Sequence, residues 1–394
     1  MKILSFSIWL LVICFSSFTI ISCGSSSDSS STSTTEATTS FSFKLTTGPI
    51  DLNDSGRGLF SNIMVDGQTL IATYQIAPAD TISENKSLYY KTFDRDLVEL
   101  TPQKYAIDVN ATSSLIDFQG DLGDHKVTLL GDNIFMIAII RGQEVGGILK
   151  FDKSFTLLAE PLFIGVGDKE VEAQLDMGFT NDGTSVYAQF YYKKGDVPET
   201  DWGASIYQIS TDLVLGKSGI LYPDGGTFNS GTGVVFVPKG QMGFTEDRLQ
   251  SFSANKDYGN VNRIGIFTFG VDMEMKFITG SSKDIAEQDL DIYFPTGPSF
   301  NVKHQLWVVG YSKENFEGDM GGPDGLELGP SYIEIYDANW KSLKTIQINE
   351  SNKAFRVMTQ TVDDDIYVVY DEMDKQGSAT TSRSRIEHYK ITTE

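Results

Sequence analysis

Residues 132–140 read DNIFMIAII, a polar turn pair followed by seven consecutive apolar residues. Asp and Asn favour tight turns, and an unbroken apolar run is typical of a strand that is buried on both faces. The same pattern of turn and strand recurs through the chain. Its six copies start at Asp66, Asp132, Asp182, Lys239, Lys303 and Asp364. Successive copies are 66, 50, 57, 64 and 61 residues apart, which predicts one structural unit used six times.

A second marker, a strand that ends at or near an Asp residue, recurs in the same phase. Its copies end at Asp94, Asp152, Asp212, Asp272 and Asp337, and a sixth copy spans residues 385–391. These Asp residues are 58, 60, 60 and 65 apart, so both markers indicate a unit of about 60 residues. Because the two patterns keep the same phase, we predict six equivalent units.

Each unit offers four short strands separated by Gly, Asn and Asp, which are common in hairpin turns. In the second unit the strands are predicted at His125–Leu130, Asn133–Arg141, Gly147–Asp152 and Phe155–Ile164. Four-stranded antiparallel sheets repeated around an axis form a β-propeller, so the predicted fold class is an all-β propeller with six blades. A pair of β-sandwiches is the alternative, but it would not explain the equal spacing along the whole chain.

The sixth unit lacks an outer strand, and the stretch Phe41–Thr47 precedes the first inner strand, which starts near Arg57. We expect this stretch to pair with the last unit and close the ring, because closure removes an exposed strand edge. The sequence carries no Asp-box, Kelch or WD signature, so the resemblance is to propeller architecture and not to a named propeller family.

The N-terminal region has a short basic start followed by an apolar run, and it ends in Ile20-Ile21-Ser22-Cys23. This ending resembles the lipobox of bacterial lipoproteins, which implies cleavage before Cys23 and lipid on its thiol. A retained membrane helix is the alternative, but no cluster of basic residues follows to stop transfer. We therefore expect a signal peptide over residues 1–22, a lipidated and Ser/Thr-rich tether over 23–40, and the six-bladed propeller over 41–394.

The two cysteines agree with this interpretation. Cys14 would leave with the signal peptide and Cys23 would carry the lipid, so the mature protein would have no free thiol. The anchor implies a membrane of the cell envelope. Gly24 differs from the Asp that resembles an inner-membrane retention signal, which favours the outer membrane and leaves the side open.

The chain is strongly acidic, with 31 basic and 53 acidic residues and a net charge of −22. An acidic surface argues against nucleic acid as a partner. The composition and the repeat predict a monomeric propeller that is tethered to a membrane.

Long inserts at residues 193–203, 312–331 and 372–384 should lie on one face of the propeller, which we expect to be the working face. Trp202 and Phe316 are the aromatic candidates for partner binding there. Acidic residues in the second insert could supply oxygen ligands to a cation such as Ca²⁺, and they are Glu317, Asp319, Asp324 and Glu327. A solvated acidic loop explains the same residues without a metal.

The mouth of the central channel should be lined by residues that begin the inner strands. The candidates for ligand binding are Arg57, His125, Asp176, Asn229 and Arg356. The two arginines could hold an anionic ligand or pair with neighbouring carboxylates, and pairing is the default. Calcium-dependent lactonases of similar fold activate water on a channel metal, so a cation-dependent hydrolase is an alternative function.

The sequence has no G-x-S-x-G nucleophile elbow and no complete P-loop, and it identifies no cofactor. Two functions of different classes are therefore predicted. The first is a membrane-anchored envelope lipoprotein whose propeller is a binding or scaffold module for a protein or glycan partner. The second is the cation-dependent hydrolase.

Overall fold

The computed structural model describes thirteen stretches of the chain, which together contain 25 β-strands. These stretches are residues 40–77, 87–109, 122–140, 145–164, 171–192, 203–221, 228–256, 264–286, 292–293, 297–315, 327–349, 354–373 and 382–393. Within them, no helix is long and apolar enough to cross a membrane.

The first strand of the described residues is β1 (Phe41–Asp51), which belongs to the last blade. Blade 1 consists of β2 (Arg57–Asp66), β3 (Thr69–Ala77), β4 (Ser87–Asp94) and β5 (Glu99–Ile107). Blade 2 consists of β6 (Leu122–Leu130), β7 (Asn133–Ile140), β8 (Val145–Asp152) and β9 (Leu162–Ile164). Blade 3 consists of β10 (Val171–Asn181), β11 (Ser185–Tyr192), β12 (Gly203–Ser210) and β13 (Leu215–Leu221).

The remaining blades continue the same order. Blade 4 consists of β14 (Phe228–Val237), β15 (Arg248–Lys256), β16 (Ile264–Asp272) and β17 (Lys283–Ala286). Blade 5 consists of β18 (Ile292–Tyr293), β19 (Ser299–Asn301), β20 (Leu306–Asn315), β21 (Glu327–Tyr336) and β22 (Ser342–Ile348). Blade 6 consists of β23 (Ala354–Val362), β24 (Asp365–Met373), β25 (Ser382–Thr393) and β1.

The ring closes through β1, which pairs antiparallel with β25 and places Phe41 opposite Thr393 and Phe43 opposite Ile391. The N-terminal strand is thus the outer strand that the sixth unit lacks. Both the six-bladed all-β propeller and its closure by the first body strand are confirmed. The closing strand extends four residues beyond the predicted Thr47, to Asp51.

The apolar run in β7 shows why the strands are so apolar. Residues 134–138 of β7 are all fully buried. Ile134 and Met136 pack into the core shared with blade 1, whereas Phe135 and Ile137 pack into the core shared with blade 3. Because successive side chains of a strand point to opposite faces, a blade between two neighbours needs apolar residues at every position.

The second marker is a turn between the third and fourth strands of a blade. Asp152 Oδ1 accepts hydrogen bonds from the backbone N–H of Ser154 (2.9 Å) and Thr156 (2.8 Å). Phe155 then takes a positive φ of 62° and its side chain is buried. The same pair of bonds occurs at Asp94, Asp272 and Asp337.

In blade 3 this turn is built on Ser210, whose hydroxyl accepts from the N–H of Asp212 (3.3 Å) and Val214 (3.2 Å). Aligning the third copy at Asp212 was therefore wrong by two residues. The Ser210 hydroxyl takes the place that the Asp carboxylate has in blades 1, 2, 4 and 5. Asp212 lies two residues later, and its backbone N–H is one of the two donors to Ser210.

Candidate ligand site at the channel mouth

The inner strands share a local irregularity near their first residues. In five blades the pairing of the inner strand with its neighbour shifts there, as it does between Leu59 and Asn62 of β2 and between Phe355 and Met358 of β23. In blade 5 the inner strand is instead divided into β18 and β19. A β-bulge redirects side chains, so these shifts determine what each blade presents at the mouth.

The bulges of β2 and β23 bring Phe60 and Arg356 into contact. The guanidinium carbon of Arg356 lies 3.8 Å from the centre of the Phe60 ring. Both residues have positive φ angles, 56° and 53°, a region that favours glycine. Strained backbone of this kind concentrates at functional sites, and a stacked arginine gains a cation–π contact. The pair is therefore the centre of the candidate site.

Asp371 of β24 holds the Phe60 bulge in place. Its carboxylate is fully buried and accepts hydrogen bonds from Phe60 N (2.7 Å), Ser61 N (3.2 Å) and Ser61 Oγ (2.6 Å). Ser384 Oγ donates a fourth at 3.3 Å. Burial raises the pKa of Asp371, while the bonds from Ser61 and the charge of Arg356 oppose that rise. One carboxylate thus joins blade 6 to blade 1 and shapes the bulge.

Asp124 lies in the equivalent bulge of blade 2, and its carboxylate is 3.8 Å from Arg356 Nη1. The same carboxylate accepts a hydrogen bond from His125 N at 2.7 Å. Arg356 therefore contacts side chains from blades 1 and 2 as well as lying in blade 6. We expected Arg356 by default to pair with a neighbouring carboxylate. Asp124 is such a carboxylate, but Arg356 also stacks on Phe60.

Two more basic residues lie on the inner strands of blades 1 and 2. Arg57 begins β2 three residues before Phe60, and its side chain is buried, which lowers its pKa. Lys126 of β6 is also buried, and its Nζ lies 3.2 Å from Met358 Sδ of blade 6. Lys126, Phe60, Ser61 and Asp371 were not among the predicted site residues. Lys126 directly follows the predicted His125 and Ser61 lies four residues after the predicted Arg57, whereas nothing in the sequence relates Asp371 to Phe60.

His125 lies inside the junction between blades 1 and 2 and its ring is fully buried. Its Nε2 is 3.0 Å from Thr73 Oγ1, and its Nδ1 is 3.4 Å from the side-chain amide of Gln75. Burial lowers the pKa of His125 to about 3, so the ring is neutral at pH 7. A ligand could reach the ring only if this network opened, and ligand contact by His125 stays a prediction.

The other predicted site residues stay predictions for a different reason. Asp176 lies in β10, Asn229 in β14 and Glu327 at the start of β21, but their side chains are outside the described part of the structure. Wholly outside the described residues are Cys23, Trp202, Phe316, Glu317, Asp319 and Asp324. Among the residues that are described, no three His, Cys, Asp or Glu side chains come together in a way that could hold a metal ion.

Comparisons with known proteins identify the fold. No family model and no curated protein matches the chain. The chain is similar to the hemagglutinin-neuraminidase of parainfluenza virus 5 soaked with the ligand DANA, with a TM-score of 0.53, 9% identity, and coverage of 90% of this chain and 95% of that one. It is similar to Trypanosoma rangeli sialidase in complex with sialic acid, with a TM-score of 0.50, 10% identity, and coverage of 90% and 59%.

A third similar structure is Bacillus subtilis levansucrase, with a TM-score of 0.46, 12% identity, and coverage of 75% of this chain and 87% of that one. At such low identities these likenesses concern the fold. The chain has a six-bladed propeller that resembles the propellers of neuraminidases and sialidases.

Proposed function

We propose that this protein is a lipid-anchored envelope protein whose propeller binds an acidic glycan at the channel mouth. The observation that carries the proposal is the Arg356 guanidinium, stacked on Phe60 in a strained bulge that Asp371 holds. A planar guanidinium binds a carboxylate through two parallel hydrogen bonds. An acidic sugar offers that carboxylate.

The distribution of charge supports an anionic ligand. The chain carries a net charge of −22, yet basic side chains concentrate at the inner strands of blades 1, 2 and 6, namely Arg57, Lys126 and Arg356. Arg57 and Lys126 are buried and the Arg356 side chain is 13% exposed, while the buried carboxylates of Asp124 and Asp371 offset part of their charge. Burying a basic group is costly, so three of them on the inner strands of adjoining blades need a physical reason. Attraction of an anion into a narrow mouth is one such reason.

The comparisons support a sugar as the ligand. Two propellers of similar fold were solved with DANA or with sialic acid bound. The coverage of this chain by both structures reaches 90%, so the likeness extends over the whole ring. A glycan that carries a carboxylate agrees with both the fold and the stacked guanidinium of Arg356.

Isothermal titration of the soluble propeller with N-acetylneuraminic acid and with glucuronic acid tests the proposal. We expect at least one to bind and Arg356→Ala to weaken binding about tenfold or more. Arg356→Lys should also weaken it, because an ammonium group cannot form two parallel bonds. Thermal unfolding of each variant checks that the propeller is intact.

Arg383→Ala is the matched control, since Arg383 lies in the same blade, is 53% exposed and pairs with Asp51 at 3.4 Å. Its removal should leave the affinity unchanged. If neither acid binds the wild-type propeller, or if Arg383→Ala weakens binding as much as Arg356→Ala, the mouth is not an acidic-glycan site.

The lipid anchor at Cys23 has its own test. In cells that process lipoproteins, the wild-type protein should fractionate with membranes and Cys23→Ser should appear in the soluble fraction as an intact propeller. Labelling with a radioactive or clickable fatty acid should mark the wild type alone. Retention of Cys23→Ser on membranes would contradict the anchor. Separation of inner and outer membranes would then test the proposed outer-membrane location.

The cation-dependent hydrolase, which was predicted from polar residues at the channel mouth, is the second candidate; the side chains of two of those residues, Asp176 and Asn229, lie outside the described part of the structure. A protein that holds Ca²⁺ in its native state is stabilised by the ion in proportion to the logarithm of its concentration. Equal melting temperatures in Ca²⁺ and in EDTA would therefore remove the basis of this alternative.

A further inference from the structure

Three tyrosines form a row across blade 1, away from the candidate site at the channel mouth. Tyr74 of β3 lies opposite Tyr89 of β4, and Tyr89 lies opposite Tyr105 of β5. The ring centres of Tyr74 and Tyr89 are 6.4 Å apart, and those of Tyr89 and Tyr105 are 4.5 Å apart. Tyr74 is fully buried, whereas Tyr105 is 55% exposed. The row therefore runs from the core to an aromatic surface on the outer strand.

Tyr89 and Tyr105 are linked by more than stacking. Burial and a hydrogen bond with Tyr105 raise the pKa of Tyr89 above that of an ordinary tyrosine. Cross-strand aromatic pairs stabilise each other's orientation. The exposed ring of Tyr105 is consequently held by a half-buried partner and by the buried Tyr74 behind it.

Polar groups frame this aromatic surface on one side. Gln103 Oε1 accepts hydrogen bonds from the Tyr74 hydroxyl and from Asp54 N, both at 3.1 Å. Lys91 Nζ lies 2.6 Å from Asp54 Oδ1 and 3.1 Å from Glu99 Oε2. The Lys91 side chain is 4% exposed, whereas those of Asp54 and Glu99 are 58% and 44% exposed. A buried lysine thus holds two carboxylates that still face water.

We propose that Tyr105 and Tyr89 form a stacking platform for a neutral sugar residue of a glycan chain, with Asp54 and Glu99 accepting hydrogen bonds from its hydroxyls. A pyranose has an apolar face of C–H groups and a rim of hydroxyls. Tyrosine suits such a ligand because its ring is apolar and its hydroxyl is polar. Carboxylates accept strong hydrogen bonds from hydroxyls.

The negative charges of Asp54 and Glu99 decide which class of sugar suits the platform. Asp54 and Glu99 repel a carboxylate or sulfate, so an acidic sugar is disfavoured here, in contrast to the channel mouth. The platform uses none of the residues of the candidate site at the channel mouth and does not depend on the acidic-glycan proposal. It lies toward the end of blade 1 at which β2 begins, because Leu88 pairs with Ile107 and Arg57 with Ala77.

The experiment is a titration of the soluble propeller with cellohexaose, maltohexaose, laminarihexaose and chitohexaose, followed by calorimetry. At least one of these neutral chains should bind the wild type, and Tyr105→Ala should weaken that binding about tenfold or more. Tyr105→Trp should retain it, because the ring face is kept. Since Tyr105 is mostly exposed, its truncation should leave the melting temperature within about 1 °C.

Leu100→Ala is the matched control, because Leu100 lies on the same strand and is 56% exposed. Its removal should not change the affinity. Arg356→Ala should also leave neutral-sugar binding unchanged, and Tyr105→Ala should leave acidic-sugar binding unchanged, which separates the two proposals. The platform is refuted if no hexasaccharide binds the wild type, or if Tyr105→Ala binds as the wild type does.

Discussion

The junction between blades 4 and 5 and the junction between blades 6 and 1 are both filled by apolar side chains, but at the second a buried carboxylate of blade 6 also binds the backbone of blade 1. Between blades 4 and 5, Trp307 is fully buried and lies 5.5 Å from Phe252 and 4.8 Å from Phe300, measured between ring centres. Between blades 6 and 1, the buried Asp371 binds Ser61 and the backbone of Phe60.

The two kinds of contact do different things: one holds two blades together, and the other fixes a single backbone conformation. Aromatic burial is strong but tolerates many arrangements, so it can hold two blades at the required distance without specifying one backbone conformation. Charge-assisted hydrogen bonds have narrow geometric limits, so they can hold the Phe60 bulge at a positive φ. The junction between blades 6 and 1, here called the polar junction, carries the candidate ligand site. A ligand site needs one fixed backbone geometry, which the hydrogen bonds of Asp371 supply.

Truncation of the aromatic junction should have the largest effect on stability. Trp307→Ala should lower the free energy of unfolding by about 3–5 kcal/mol, as expected for removal of a buried large aromatic side chain. Chemical denaturation measures the change. Leu158→Ala is the control, since Leu158 is 47% exposed and its truncation should cost less than about 0.5 kcal/mol. A loss below about 1 kcal/mol for Trp307→Ala would mean that aromatic burial does not dominate this junction.

Neutralising Asp371 should lower the free energy of unfolding less than Trp307→Ala does, but it should weaken the binding of acidic sugars. Asp371→Asn keeps the shape and removes the charged acceptor, so we expect a loss of about 2–3 kcal/mol and weaker acidic-sugar binding. Asp337→Asn is the control, because this exposed turn carboxylate accepts two backbone bonds that the Asn oxygen can also accept. Unchanged sugar affinity in a folded Asp371→Asn variant would show that Asp371 does not position Arg356 and Phe60.

The junction between blades 1 and 2 should respond to acid through His125. Its pKa is lowered to about 3 in the folded protein, against about 6.5 when unfolded, so below pH 6.5 the unfolded state binds more protons. Stability contributed by the neutral ring is complete above pH 6.5 and falls as the pH drops toward 3, by about 2 kcal/mol at pH 5.

His125→Gln should remove this dependence. The stability difference between wild type and His125→Gln, measured by denaturation at pH 7 and pH 5, should therefore shift by about 2 kcal/mol in favour of the variant at the lower pH. A constant difference across this range would show that the ring is already accessible to protons in the folded state.

Several features of the ring could be read from short-range patterns. The solid apolar runs such as residues 134–140 predict strands buried on both faces, and the periodic turns predict the number of blades. Closure through residues 41–47 followed from counting strands in the last unit. These inferences succeed because burial and turn chemistry act on neighbouring residues.

The candidate site was predicted only in part. Arg57 and Arg356 were selected because they were expected near the starts of inner strands; Arg57 is the first residue of β2 and Arg356 is the third residue of β23. The contact between Asp371 and Phe60, 311 residues apart, could not be predicted, because it exists only when the last blade meets the first. Ser210 was missed because a hydroxyl replaced the carboxylate that marked the other turns.

The sequence by itself determined the repeat, the fold class and the strand that closes the ring, since each depends on local composition and periodicity. Tertiary structure alone decided that Arg356 stacks on Phe60, that His125 is enclosed, and that three tyrosines of blade 1 align toward the surface. The physical reason is that bulge geometry and cross-strand register bring together residues that no spacing in the chain relates.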